Sequence, residues 1–403
     1  MLKKITLTLS LILLINLQVF SQDEIELVES VPAETLLEQS SLSRTHDVWL
    51  KMINEANESI RIETFYFAGK NGEPLDDIMQ ALKDAAKRGV MIGIIVDSSF
   101  YSSNEETTID ELEDIDNISL AKIPMGRIAG GVMHAKFLIV DNENLFIGSQ
   151  NMDWRAIKHI HEIGVRIKNK ELAQSFLDVF NTDLEYCSGV FNKEIYSGYS
   201  GSNNHLILNT DNYGKVTVYP AFSPVKLNNQ SMDSEETELL KIIENSKDSL
   251  LIQIYSYSSK AKNENNYYDK IDNALRSAAA KGVKIKMIIP DWAIKESSVK
   301  FIKDLSIVEN INLKIITIPQ FSEGFILYAR VDHSKYFTSD NNISWISTSN
   351  WERSYFYNCR NATLIIDNEN ITSDLSKVFN NIWNGPYAEE IDVNKDYPPA
   401  KRN

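Results

Sequence analysis

The chain has 403 residues, 43% of them hydrophobic and 24% charged, an ordinary composition for a folded protein with room for two or three domains. Its formal charge of −15 argues against broad, salt-driven binding of duplex DNA, where neutralised phosphates supply the affinity, though not against a polyanion entering a locally basic cleft. Two cysteines, Cys187 and Cys359, are too few for a disulfide framework or a metal cluster; one pair or two buried thiols are the alternatives.

In chain order, Lys3 and Lys4 precede an apolar run from Ile5 to Phe20, with Val19 and Ser21 as small residues before a cut near Gln22. Residues 1–21 therefore read as a secretory signal peptide, which places the protein outside the cell or in the periplasm. The run is short for a bilayer span and is broken by Asn16 and Gln18, so an uncleaved anchor is the weaker alternative. No stable membrane insertion is expected after cleavage.

Helix Asp47 to Ala56 and strand Ser59 to Phe67 follow. Next, Ala81 to Val90 reads as a helix of strong formers ending at Gly89, a left-handed cap, before an apolar strand from Met91. The pattern recurs: helix Glu235 to Ser246, strand Ser249 to Tyr257, a helix from Ala274 ending at Gly282, and a strand from Lys284 to Ile289. Between the copies, residues 188–212 are polar and rich in Gly, Ser and Asn, as a connection would be. The expectation is a duplicated α/β sandwich with largely parallel or mixed sheets, its halves at 22–187 and 213–390. The tail, 391–403, contains Pro398-Pro399 and is expected to fray.

Later in each copy the register becomes strict. His134, Lys136 and Asp141 recur as His333, Lys335 and Asp340, each 199 residues on, and Asn151 recurs as Asn350 at the same offset. Strand alternation would put each His and its Lys on one face, with Asp141 and Asp340 opening turns as structural residues. Each copy then has a small polar elbow, Gly148-Ser149-Gln150-Asn151 and Ser347-Thr348-Ser349-Asn350, ahead of a short helix. Ser149 and Thr348 are expected to bind substrate phosphate there; helix capping is the bland alternative.

Neither half holds enough groups to make and break a phosphoester, but the two together do. One neutral imidazole can attack phosphorus while the other, protonated, delivers a proton to the leaving oxygen. The lysines stabilise charge on the non-bridging oxygens, and the scheme requires no metal or other cofactor.

The paired segments Met133 to Asp153 and Asp332 to Trp351 resemble the HKD signatures of the phospholipase D superfamily. The chain around them is most similar to the branch of lysosomal phospholipase-D-like 5′-exonucleases, through Leu27 to Pro32, Gly131 to Phe137, Asn151 to Arg155, Tyr328 to Tyr336 and Thr348 to Trp351. That resemblance implies a phosphohistidine intermediate, an active site between pseudo-twofold halves, and no divalent metal. It also implies a downstream carboxylate that orients each histidine. Glu162 fits that place for the first copy, whereas in the second it falls near Asn358 or Asn361. With a carboxylate assigned to it, His134 is the expected nucleophile, and His333 the acid and then the base. Catalysis is thus expected from His134, Lys136, His333, Lys335, Asn151, Asn350 and Glu162. Single-stranded nucleic acid is the expected substrate; phospholipid headgroups and a non-catalytic phosphate binder are the alternatives. His159 and His161 lack a lysine partner and are assigned surface or supporting roles, and Trp154 and Trp351 are assigned to the core.

Overall fold

The computed structural model describes residues 23–38, 42–101, 108–189, 205–228, 232–260, 267–295 and 298–402. The expected signal peptide and most of the expected connection lie outside the described residues.

Helix Thr45–Glu55 forms because Val48, Trp49, Met52 and Ile53 fall on one face, which it buries. Helix Leu75–Lys87 carries Asp76 and Asp77 in its first turn and Lys87 in its last, matching the helix dipole. The chain leaves it through Gly89 at φ +95°, and Gly282 does the same at φ +99° after helix Lys270–Ala280. Those left-handed positions favour glycine, as the sequence pattern anticipates.

The helices flank two mixed sheets of like design. In the first, strands run in the order Ser43–Arg44, Glu24–Ser30, Ile160–Lys168, Asn144–Gly148, Phe137–Val140, Ser59–Glu63, Met91–Asp97 and Ile118–Ile123. The second runs Leu206–Thr210, Gly214–Ser223, Asn361–Asp367, Ile343–Ser347, Lys335–Ser339, Ser249–Ile254, Lys284–Pro290, Ile311–Ile316 and Ala388–Glu390. Parallel pairing joins the strands beginning at Ser59, Met91 and Ile118, and those beginning at Ser249, Lys284 and Ile311. The strands that carry or follow the His/Lys motifs pair antiparallel, so of the two expected alternatives the sheets are mixed, with parallel pairing on one side of each half. Hairpins such as Phe137–Val140 to Asn144–Gly148 are too short for a crossover, and that forces antiparallel pairing.

Helices Lys170–Cys187 and Glu369–Asn384 start at Asn169 and Asn368, again 199 residues apart, whose side chains accept from Leu172 N and Ile371 N. Phe176, Val179 and Phe180 of the first share one apolar core with Leu364, Val378 and Phe379 of the second half. The halves are thus welded along a common interior. The tail is docked rather than frayed: the Tyr397 ring packs on the second-half core, its hydroxyl accepts from Asp392 N at 2.7 Å, and Arg402 O accepts from Tyr328 N at 3.0 Å. Burial of that aromatic ring outweighs the loss of chain entropy that Pro398-Pro399 alone suggests.

Candidate active site

Each motif histidine sits just before its hairpin strand, where the chain touches the opposite half. The backbone N–H of His134 donates to Arg360 O and that of His333 to His161 O, both at 2.9 Å. Regular strand begins only at Phe137 and at Lys335, so the stretch around each histidine is extended backbone borrowed by the other sheet. Lys136 Nζ folds back on His134 O, and Lys335 Nζ on His333 O, each at 2.6 Å. Both lysines are buried, and the charge of each bears on both imidazoles. The structure therefore gathers His134, Lys136, His333 and Lys335 into one centre.

The support residues are exchanged. Glu162 backs His333, not His134: both its carboxylate oxygens lie 3.0 Å from His333 Nδ1. His134 Nδ1 instead meets Asn361 Oδ1 at 3.0 Å. The expectation that Glu162 serves its own copy is thereby corrected, and the reason is topological: strands Ile160–Lys168 and Asn361–Asp367 each begin beside the other half's histidine. Asn361 stands 199 residues after Glu162, so the strict register already singles it out over Asn358, which donates to Ala129 O at 2.6 Å. Asn361 is fully buried, which also removes Asn361-Ala362-Thr363 as a glycosylation acceptor.

Ser149 and Thr348 do not face the cleft. Ser149 Oγ donates to Ile163 O and accepts from Ile163 N, and Thr348 Oγ1 donates to Asn361 Oδ1 at 3.0 Å. Both are buried beneath the histidines, with their hydroxyls engaged on the supporting strand. Asn361 Nδ2 donates to Tyr355 O at 2.9 Å, which turns its oxygen toward His134. Asn151 and Asn350 do line the cleft, each with a buried Oδ1 lacking a hydrogen-bond partner.

Asp141 and Asp340 are structural. Asp141 accepts from the backbone N–H groups of Asn57, Glu58 and Ser59 at 2.8 to 2.9 Å, and Asp340 from those of Lys247, Asp248 and Ser249. Both have φ near +50°, so each also makes a tight turn. Trp154 and Trp351 are buried in the cores of the two halves. Cys187 and Cys359 are free thiols, pushed up to about 12 and about 11 by burial.

The cleft above the histidines holds about 730 Å³ and is walled by aromatic rings: Phe65, Tyr66, Phe100, Tyr255, Trp292, Tyr328 and Tyr355. Tyr355 meets the His134 ring edge-on at 4.9 Å and Tyr255 meets His333 at 4.6 Å. These rings come from loops and short helical turns scattered along the chain, and no motif spacing marks them. A hollow of similar size elsewhere is lined by Glu34, Glu38, Asp47, Glu73 and Asp77, the wrong charge for a phosphate. Among the described residues no group of His, Cys, Asp and Glu side chains is arranged to hold a metal ion.

Burial governs protonation here. It pushes His134 well below the ordinary histidine range, helped by Lys136 and Lys335 and opposed by the Asn361 hydrogen bond. Lys136 falls well below its ordinary value through burial and the nearby Lys335. Lys335 falls to about 7 by burial, with Glu162 and Asp332 resisting. Burial raises Glu162 well above the usual carboxylate range while it lowers His333, where the two lysines add to the effect. The two shifts describe one object. A proton lodged on Glu162 and donated to Nδ1 leaves His333 with its hydrogen on Nε2, and an imidazolium beside a carboxylate presents the same Nε2–H.

The profile of the family described as "Cardiolipin synthase, PLD-like domain" matches residues 49–184 and 239–383, one stretch per half. "Phospholipase D Z" of Dictyostelium discoideum is 30% identical over 90% of this chain and 90% of its own length. "5'-3' exonuclease PLD3" of Xenopus laevis is 28% identical over 90% of this chain and 80% of its own. Among solved structures, phosphatidylserine synthase of Haemophilus influenzae Rd KW20 superposes with a TM-score of 0.62 at 14% identity, covering 86% of this chain and 85% of that one, a likeness of fold.

Proposed function

The chain belongs to the phospholipase D superfamily, and from that premise we propose that this phosphodiesterase hydrolyses single-stranded nucleic acid from a strand end. The aromatic wall around the two histidines carries the reading. Unpaired bases stack on such rings without regard to sequence, at about 1–3 kcal/mol per base, and a duplex has no free faces to offer. The name of the Xenopus relative points the same way.

The asymmetry of the two supports assigns the roles. A nucleophile must be neutral, and His134, backed by an amide and pushed down by burial, is held as a neutral imidazole with a single N–H. Its Nδ1–H donates to Asn361 Oδ1, which leaves the Nε2 lone pair for phosphorus. A general acid must hold a proton, and the Glu162–His333 dyad retains one that reaches the cleft through Nε2. This reading keeps His134 as nucleophile and His333 as acid on the opposite ground: the carboxylate marks the acid. In the first step a His134 N–P bond forms, the bond to the leaving oxygen breaks, and His333 transfers its Nε2 proton to that oxygen. Water then attacks phosphorus, returns a proton to His333, and releases His134. Lys136 and Lys335, made easier to deprotonate by burial, hold their charge against an incoming phosphate and stabilise its non-bridging oxygens.

A second reading, hydrolysis of phospholipid, draws on the half-exposed Leu327 and Tyr328 at the mouth and on the Dictyostelium relative's name. One assay separates the two. With EDTA present, 5′- and 3′-labelled single-stranded oligonucleotides should shorten from one end while phosphatidylcholine vesicles release no choline, and His134→Asn should abolish the products. Choline release without oligonucleotide cleavage would overturn the nuclease reading.

A further inference from the structure

The segments that carry the branch resemblance include Glu29, within Leu27 to Pro32, and Asp332, just before His333; neither has a part in the scheme above. Both converge on His161. Its Nδ1 lies 2.8 Å from Asp332 Oδ1 and its Nε2 3.1 Å from Glu29 Oε1, with all three side chains fully buried. A carboxylate facing each ring nitrogen is matched when both nitrogens carry a proton and the ring is a cation. Burial opposes that charge, but the hydrogen bonds from Asp332 and Glu29 outweigh it and push the imidazole up to about 10.

The surroundings hold the arrangement in place. Ser334 Oγ and Gln253 Nε2 both donate to Asp332 Oδ1 at 2.9 Å, and Tyr336 fixes Gln253 by donating to its oxygen at 2.8 Å. Arg44 reaches the outer oxygen of Glu29 at 3.2 Å. Glu29 and His161 belong to the first half, whereas Asp332, Ser334 and Gln253 belong to the second.

Two consecutive residues are thereby gripped by two others. His161 holds Asp332 through its ring and His333 through its carbonyl, and Glu162 holds the His333 ring. The first half-site lacks this lock. The residue 199 after His161 is Arg360, and it forks onto Asp183 at 2.7 Å; the residue 199 before Asp332 is Met133, which has no charge to offer. The cation beneath His134 therefore ties down a helix, while the cation beneath His333 ties down the residue next to the histidine.

We propose that Glu29, His161 and Asp332 form an ion triad, shared between the two halves, that positions His333 on Glu162 for proton delivery without touching substrate. This rests on the assignment of His333 as the general acid. Positioning errors of this kind are expensive: displacement of about 1 Å costs on the order of 100-fold in rate.

The test uses the dependence on leaving group. A phenolate departs without a proton, whereas an alkoxide needs one. His161→Gln and Asp332→Asn are expected to lose about 10- to 100-fold in the single-turnover rate of oligothymidylate cleavage, with the half-saturating substrate concentration within about twofold, and less than about threefold in the burst of p-nitrophenolate from bis(p-nitrophenyl) phosphate, which precedes the attack of water that also uses His333. Equal losses on both substrates, or none on either, would overturn the proposal, since a merely structural defect does not distinguish leaving groups. His333→Asn is the control. If it keeps the phenolate burst, though not turnover, and the triad variants lose the burst, the triad alone is wrong; if it loses the burst as well, the acid role falls and the triad's purpose with it. Should the variants not fold, ¹⁵N NMR of histidine-labelled wild-type protein still decides. His161 should remain a doubly protonated imidazolium from pH 6 to 9, and a neutral ring at pH 7 refutes the triad.

Discussion

Asn361→Asp gives the first half-site the carboxylate that it lacks. Asn361 Oδ1 is 3.0 Å from His134 Nδ1, and both groups are buried. With charge centres about 4 Å apart and an effective dielectric of about 20, an aspartate would favour protonated His134 by roughly 4 kcal/mol. The cost of burying the new charge, with the Thr348 hydroxyl as a donor already in place, offsets part of this and leaves about 2–3 kcal/mol, or about 2 pKa units. If His134 is the nucleophile it must be neutral, so the acid limb of the kcat/KM profile should move up by about 2 units. Below both pKa values the rate should fall on the order of 100-fold. The alkaline limb, set by loss of the proton from the Glu162–His333 dyad, should stay where it is. Steady-state hydrolysis of a fluorogenic oligonucleotide from pH 4 to 9 reads both limbs. An upward move of the alkaline limb alone would mean that His134 is the acid, and the assignment of roles would be refuted.

Other outcomes follow from the same geometry. Glu162→Gln should remove the dyad's extra proton and lower the alkaline limb, with loss of about 100-fold or more on alkoxide substrates and little in the first-turnover burst on phenolates. Thr348→Ala should lower kcat through a loosened Asn361 and leave KM nearly unchanged; a tenfold rise in KM would restore Thr348 as a phosphate ligand. Asp183→Asn strips a partner from buried Arg360 and should cost about 3–5 kcal/mol in chemical denaturation. The His161 pKa is raised on folding, so its stabilisation is complete below about pH 6.5 and vanishes as pH rises through about 10; the melting temperatures of wild type and His161→Gln should converge over that window.

The repeat was legible because its carriers are chemically rare and rigidly spaced. Six histidines in the whole chain, two of them heading the same pattern 199 residues apart, locate the half-sites without any structure. The glycine caps were legible too, since left-handed backbone at Gly89 and Gly282 is a local requirement. Pairing direction was not, because the short hairpins after Lys136 and Lys335 leave the same apolar runs as buried parallel strands do. The aromatic wall escaped for a different reason: Phe65, Tyr255 and Trp292 are brought together only by tertiary folding, and each alone reads as core.

The exchange of supports was beyond any reading that treats a repeat as a self-contained unit. Glu162 belongs to the first copy by sequence and to the second by contact, and Asn361 does the reverse. Once supports are exchanged, a substitution in one copy changes the proton affinity of the other copy's histidine. Two identical copies would then hold two histidines of equal basicity, poorly suited to serve at once as base and acid. A single difference, carboxylate at 162 against amide at 361, breaks that equality at the ring nitrogens while both His/Lys pairs stay intact. The ion beneath each site follows the same division: His161 is bound to the residue beside His333, and Arg360 is bound away from His134. Divergence of the halves is therefore concentrated in the groups behind the histidines, where it separates their protonation states without altering what the cleft presents to a phosphate.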